Sequence, residues 1–194
     1  MKHLMALSCL AVLVFLSAAP AGAEEEMSAF HRDLIANLEA TGQKLISLAE
    51  ATPENMFSWR PTKDVRSVSE VYMHVVGANM LIPPALGATP PEGVEIPENA
   101  FALMKEWETT VTAKADVVAK LKESLEYAKA ALASIQDLDA EVTLFGPPQT
   151  KRAYFFILQG HAHEHLGQSI AYARSFGVAP PWSRPMPAGD GGGE

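Results

Sequence analysis

QGHAHEHLGQ, the stretch Gln159–Gln168, lies within a segment that has helical periodicity from about Thr150 to Phe176. Because residues three and four apart share a face of an α-helix, His161 and His165 are neighbours one turn apart. His163 points to the opposite side, where we expect it to be solvated. The stretch therefore predicts a helix that carries a pair of imidazoles on one face.

The face that carries this pair is mostly apolar or aromatic. At helical spacing it comprises Tyr154, Leu158, His161, His165, Gln168, Tyr172 and Phe176. A face of this kind points into a protein core. Two adjacent imidazoles on it need partners, because a buried polar group without a hydrogen bond is costly. A divalent metal ion is the simplest partner, and hydrogen bonds at the core or its rim are the alternative, since the HxxxH spacing also arises by chance.

A third histidine lies on a similar face of a second helix, which we predict from Ser67 to about Ile82. This helix begins with Ser67-Val68-Ser69-Glu70, a capping box in which the serine oxygen accepts a backbone N–H and the glutamate reaches back. Its apolar face comprises Val71, His74, Val75, Ala78 and Ile82. A single histidine on such a face is more often a hydrogen-bonded core residue than a ligand. His74 is therefore a candidate ligand mainly because His161 and His165 lie on a similar apolar face of another helix.

Two further long segments have helical periodicity. The first helix is predicted from Glu24 to about Ala49 and the third from about Lys114 to Ile135, and a shorter helix or ordered connection lies between Glu98 and Val111. We expect Pro83-Pro84 to end or kink the second helix. No alternating strand pattern competes with these helices. Four amphipathic helices with long connections predict an all-α, four-helix bundle.

The first 23 residues are expected to be a secretory signal peptide. A short basic start precedes an apolar run, Leu4–Ala18, and Ala21-Gly22-Ala23 matches the small-residue cleavage pattern. Cleavage after this motif would make the protein periplasmic or secreted. The bundle domain is then expected at residues 24–185, followed by a Gly-rich and acidic tail at residues 186–194 that we expect to be disordered.

Composition excludes several classes of function. The chain's one cysteine, Cys9, lies inside the apolar run, so the mature protein would have no thiolate for catalysis or for a cysteine-type zinc site. The chain has 15 basic and 23 acidic residues and a formal net charge of −8. This balance argues against nucleic acid and anionic membrane surfaces as partners. No second segment reaches the about 20 apolar residues that a membrane span requires.

Two motifs resemble the DinB-like superfamily. One is Arg60-Pro61 followed by Arg66-Ser67-Val68-Ser69-Glu70 before His74, which is similar to the start of that family's second helix. The other is His161-x-x-x-His165-x-Gly167-Gln168 followed by Tyr172-x-Arg174 and Gly177-Val178-Ala179-Pro180-Pro181, which is similar to its closing signature. The likeness covers nearly all of the mature chain and is most specific from His161 to Pro181.

This resemblance implies a four-helix bundle of the DinB-like type, which is often dimeric, so a homodimer is a possible assembly. It also implies a divalent metal ion, nickel or zinc in most relatives, held here by His74, His161 and His165. Relatives include thiol transferases that use bacillithiol, mycothiol or glutathione, and a maleylpyruvate isomerase. Many relatives carry arginine where this chain has Leu166, so a substrate role tied to that arginine does not carry over.

Three functions remain open. The first is a metal-dependent transferase, of the thiol-transferase kind, or a hydrolase acting on an unknown small-molecule substrate, because three imidazole ligands leave an open coordination position. The second is a non-catalytic bundle that binds metal or a small ligand, which a site sealed by Trp59 or Tyr172 would favour. The third is a vestigial metal site beside a functional dimer surface. Glu70 and Glu164 are candidate bases or orienting groups, and helix capping or plain solvent exposure would explain them equally well.

Overall fold

The structure, a computed structural model, describes residues 27–183. The predicted signal peptide and C-terminal tail lie outside the described residues. Within them, the helices are α1 (Ala29–Ala51), α2 (Val68–Ala85), α3 (Ala100–Thr110), α4 (Lys114–Ser134) and α5 (Lys151–Ser175), and the strands are β1 (Glu141–Val142) and β2 (Gln149–Thr150). In this part of the chain, no helix is long and apolar enough to cross a membrane.

Four long helices, α1, α2, α4 and α5, form a bundle. Helices α1 and α2 each pack against both α4 and α5, so α1 and α2 occupy opposite corners, and α3 lies along α2. The core between them consists of aliphatic and aromatic side chains, with Tyr72 and Tyr154 among the largest that are fully buried. Removal of this apolar surface from water is the main stabilising contribution. The all-α, four-helix bundle predicted from the sequence is confirmed.

Capping residues set the starts of α1 and α2. The capping box is confirmed, because Ser67 Oγ accepts the Glu70 N–H at 3.3 Å and Glu70 Oε2 accepts the Ser67 N–H at 2.7 Å. Helix α1 begins at Ala29, later than the predicted Glu24. The reason is that Ser28 is the residue whose side chain accepts an N–H of the first turn.

Helix α2 extends beyond its predicted end and contains both Pro83 and Pro84. Proline has no N–H to donate, but the carbonyl oxygens of these two residues accept N–H groups from Leu86 and Gly87, which closes the last turn. Gly87 has a φ of 101°, a left-handed conformation that glycine adopts without strain, and the chain turns away there.

A short hairpin in the connection before α5 was not predicted. Strand β1 pairs with β2 in antiparallel register, with Glu141 opposite Thr150 and Val142 opposite Gln149. Two residues per strand are too few to produce an alternating sequence pattern. The hydroxyl of Tyr154, near the start of α5, accepts the N–H groups of Leu144 and Phe145 at 3.0 and 3.2 Å. This buried tyrosine therefore anchors the hairpin loop to the bundle.

We expect Tyr154→Phe to lower the free energy of unfolding by about 1–2 kcal/mol, because two backbone N–H groups lose their acceptor. Chemical denaturation followed by circular dichroism measures this change. Tyr127→Phe is the matched control, since the Tyr127 hydroxyl makes one exposed hydrogen bond, to the Thr89 carbonyl at 2.8 Å. Equal losses in the two variants would contradict the anchoring role of Tyr154.

Candidate metal centre

Three histidines come together between α2 and α5. One ring nitrogen from each of His74, His161 and His165 lies within 4.8 Å of the other two. The ring centroids are 4.4 Å apart for His161 and His165, and 4.8 Å apart for His74 and either of them. His165 is buried and the other two are partly buried. The helical periodicity that placed all three side chains on inward faces is confirmed, and the cluster is compact enough to hold one metal ion.

The remaining histidines of the described chain lie elsewhere. His163 is exposed on the opposite side of α5, as expected, with Nε2 2.8 Å from Asn37 Oδ1 and 3.1 Å from Thr41 Oγ1 on α1. His31 is buried on α1, where its Nε2 lies 2.6 Å from the Leu132 carbonyl oxygen. Both side chains link helices and neither joins the cluster.

A buried carboxylate orients His74. Glu108 on α3 has 0% exposure, and its Oε1 lies 2.7 Å from His74 Nδ1. Its Oε2 lies 3.2 Å from both Arg66 Nε and Lys105 Nζ. Burial raises the pKa of Glu108, but Arg66, His74 and Lys105 together outweigh burial and lower it below its usual value. The ionised carboxylate can only accept, so His74 donates from Nδ1 and keeps the lone pair of Nε2.

A chain of hydrogen bonds orients His165 in the same sense. The Tyr172 hydroxyl donates to the Arg66 carbonyl oxygen at 3.2 Å and accepts from Gln168 Nε2 at 3.0 Å. The Gln168 amide is thereby turned so that its Oε1 faces His165 Nδ1 at 2.8 Å. His165 therefore donates from Nδ1 to this amide oxygen, and its Nε2 also carries a free lone pair. Gln168 and Tyr172, which the sequence places on the same helical face as the histidine pair, position a histidine.

His161 supplies the test of whether a metal ion fits. Its Nδ1 is buried and has no hydrogen-bond partner within residues 27–183, a rare condition for a buried polar atom. Burial, followed by the charges of His165, His74 and Arg66, lowers the pKa of His161 to about 3. Burial and Arg66 also lower the pKa of His74, although the hydrogen bond that His74 donates to Glu108 raises it. Both rings are neutral at pH 7, the state that binds metal, so the residues fit the ion.

A glycine on α2 allows α3 to bring Glu108 to this cluster. A Cβ atom on Gly77 would lie 2.4 Å from Met104 Cγ, closer than atoms can approach. The absence of a side chain at Gly77 lets the two helices pack closely. Glu108 lies one helical turn after Met104, and His74 lies almost one turn before Gly77, so this close approach places the carboxylate beside the imidazole.

An apolar cavity borders the cluster, and a group of aromatic side chains packs around Tyr172, further along α5. His74 and His161 line a cavity of about 200 Å³ between α2, α3, α5 and the hairpin loop. Tyr172 packs edge-to-face against Trp59, which also contacts Phe176, with ring centroids 5.3 and 5.4 Å apart. None of these three aromatic side chains lines the cavity, so they do not close it.

The sequence left Glu70 and Glu164 as candidate bases or orienting groups and did not single out Glu108. Glu70 is engaged in the capping box and in an ion pair with Arg60 at 3.2 Å, and Glu164 is exposed. The sequence does contain a pattern that could have identified Glu108 as buried. This residue lies four positions after Met104 and three before Val111, on the apolar face of a short helix. An acidic residue at such a position needs a buried partner.

Comparison with known proteins gives the same fold. The family model described as the DinB superfamily matches residues 37–169. A DinB-like protein from Bacillus subtilis is 21% identical, with a TM-score of 0.60 over 79% of this chain and 96% of that chain. A DinB-like protein from Bacillus cereus is 19% identical, with a TM-score of 0.60 over 78% and 93% of the two chains.

A conserved protein from Enterococcus faecalis is 15% identical, with a TM-score of 0.56 over 74% of this chain and 94% of that chain. A comparison with curated proteins found no match. At these identities the three solved structures show the fold alone. The family model covers well over half of the chain, and with the bundle and the histidine cluster described above, this chain belongs to the DinB superfamily.

Proposed function

We propose that this protein binds one divalent transition-metal ion through His74, His161 and His165 and uses it in a transferase or hydrolase reaction on a small molecule. The observation that carries the proposal is the convergence of one nitrogen from each of three imidazoles within 4.8 Å. Imidazole suits zinc and nickel among the common divalent ions. Three protein ligands leave a coordination position for water or substrate.

The surrounding residues prepare these histidines for that role. Glu108 and Gln168 hold the Nδ1–H groups of His74 and His165, so that each ring presents its other nitrogen. Arg66 and Lys105 keep Glu108 ionised. A bound ion would supply Lewis acidity and would lower the pKa of a bound water or thiol.

The cavity beside the cluster supports an enzyme over a purely structural or storage site. Two of the three histidines, His74 and His161, belong to its wall, so a small molecule in the cavity would contact the centre directly. Trp59 and Tyr172, which would have sealed a non-catalytic site, are not among the residues that line this cavity. The non-catalytic bundle remains the alternative, and turnover of a substrate is what separates the two.

Elemental analysis of untagged protein, purified without chelating resin, tests the proposed metal site. We expect about one zinc or nickel ion per chain in the wild type and loss of the ion in His74→Ala, His161→Ala and His165→Ala, since each substitution removes one of three ligands. The matched control is His163→Ala, on the same helix but bonded to α1, which should retain the ion. A wild-type protein that neither holds nor takes up zinc or nickel would overturn the proposal.

We propose from residues 1–23 that this chemistry takes place in the periplasm or outside the cell. The support is the apolar run followed by a small-residue cleavage motif before Glu24. The choice of nickel or zinc as the bound ion is based on the ligand type, since three imidazoles suit both metals.

A further inference from the structure

The cavity beside the histidine cluster has a strongly asymmetric lining. His74 and His161 are at one end, and every other lining residue described is apolar or glycine. Phe101 and Phe145 form an aromatic pair with ring centroids 5.6 Å apart, and Phe101 is exposed, so this pair marks the opening of the cavity. Tyr154 fixes Phe145 in place through the backbone of the hairpin loop.

The apolar lining disfavours a ligand that carries a charged group along most of the cavity. A charged group beside the apolar wall would lose its hydration and find no partner there. Polar side chains line the cavity at the histidine end alone, where His74 and His161 belong to its wall. An aromatic ring would gain further from edge contacts with Phe101 and Phe145.

The size of the cavity limits the ligand as strongly as its polarity does. Its volume is about 200 Å³, whereas pockets for drug-sized ligands measure about 300–1,000 Å³. Met104 of α3 forms one wall of the cavity. Because Met104 already lies against Gly77 of α2, the cavity cannot extend further between these two helices. A single ring or a short branched chain fits this space.

We propose that this cavity binds the substrate's uncharged apolar body, a single ring or a short branched chain, with the substrate's polar reacting group facing His74 and His161. The inference rests on the proposed function, because the histidine end is a reaction site when the ion is bound, and it names the substrate class of that site. Substrates with a charged or polyhydroxylated body are excluded by the same wall.

The test compares three probes that share a hydroxymethyl group and differ in the body. They are benzyl alcohol, 4-(hydroxymethyl)benzoate, which is charged at pH 7.5, and glycerol. We expect calorimetric titration of the protein as purified to show that benzyl alcohol binds about tenfold or more tightly than either other probe. Equal affinity for benzyl alcohol and the charged analogue would overturn the proposal.

Two variants on α5 locate the binding. Ile157→Phe fills the cavity and should weaken benzyl alcohol binding about tenfold or more, while Phe156→Trp, one residue away on an exposed face, should leave it unchanged. If Ile157→Phe does not fold, Ala78→Leu replaces it in this test, because it fills the same cavity from α2. Unchanged binding in a folded cavity-filling variant would overturn the assignment.

Metal content measured in the same samples separates the two proposals. Selective benzyl alcohol binding by a protein that holds no metal would refute the proposed function and retain the apolar cavity as a ligand site. A stoichiometric metal ion, lost in His161→Ala, in a protein without that selectivity would retain the metal centre and refute the substrate class.

Discussion

Replacing Glu108 with alanine is expected to lower the free energy of unfolding by about 2–3 kcal/mol and to weaken metal binding about 10–100-fold. The carboxylate has 0% exposure and contacts His74, Arg66 and Lys105. Removing one partner of a buried ion pair costs about 3–5 kcal/mol when the other charge stays buried. Arg66 and Lys105 are partly exposed and can turn toward water, so we expect a smaller loss.

The effect on metal binding has a separate cause. Without Glu108, the Nδ1–H of His74 loses its acceptor, so the ring is free to rotate or to carry its proton on the other nitrogen. Competition titrations with a chromophoric chelator measure the affinity for zinc, and urea denaturation measures stability. Both readouts are independent of any enzymatic activity.

Two controls separate orientation of His74 from general damage to α3. Glu106→Ala removes an exposed carboxylate from the same helix and should change neither quantity. Glu108→Gln retains an oxygen that can accept from His74 and should recover part of the zinc affinity lost in Glu108→Ala. A role in packing alone would predict equal zinc affinity for wild type and both Glu108 variants, and that result would contradict the orienting role.

Acidification of the metal-free protein from pH 6.5 to 4.5 is expected to lower the free energy of unfolding by about 2 kcal/mol through His161 alone. The pKa of this ring falls from its ordinary 6.5 to about 3 in the folded protein, mainly because of burial and then because of His165, His74 and Arg66. Between these two values, the unfolded chain binds a proton that the folded chain excludes. Stability therefore falls as the pH decreases through this window, and the contribution is fully present above it.

Denaturation in the presence of a chelator, at half-unit steps of pH, measures this slope. The His161→Ala variant should lose stability less steeply than the wild type between pH 6.5 and 4.5, because its titrating group is gone. His163→Ala should follow the wild-type slope, since this histidine is exposed and lies outside the cluster. Identical slopes in all three proteins would show that His161 is not held neutral in the fold.

Local sequence patterns were sufficient to place the three histidines on inward helix faces. Helical spacing places His161 and His165 one turn apart whatever the rest of the fold does. The same periodicity puts His74 on the inward face of α2, and the capping box marks where that helix begins. Once the bundle packs α2 against α5, these three inward side chains meet.

Periodicity could not locate the groups that orient the cluster. The contact between Glu108 and His74 joins residues 34 positions apart and depends on how closely α3 approaches α2. Gly77 and Met104 set that approach, and a glycine inside a helical pattern does not by itself show which helix lies against it. Similarly, the hydrogen bonds that His165 donates to Gln168 and that Tyr172 donates to the Arg66 carbonyl oxygen cannot be predicted without the folded structure.

The location of α3 has an evolutionary consequence. This helix of 11 residues carries Glu108 together with Phe101 and Met104, while two of the bundle helices, α2 and α5, supply all three histidines. Sequence drift or exchange confined to one connecting segment would change both the electronic properties of the centre and the shape of the space beside it. The bundle core would keep its amino acids and its packing. The histidines are thus encoded apart from Glu108 and from part of the cavity wall, an arrangement that favours diversification on a constant fold.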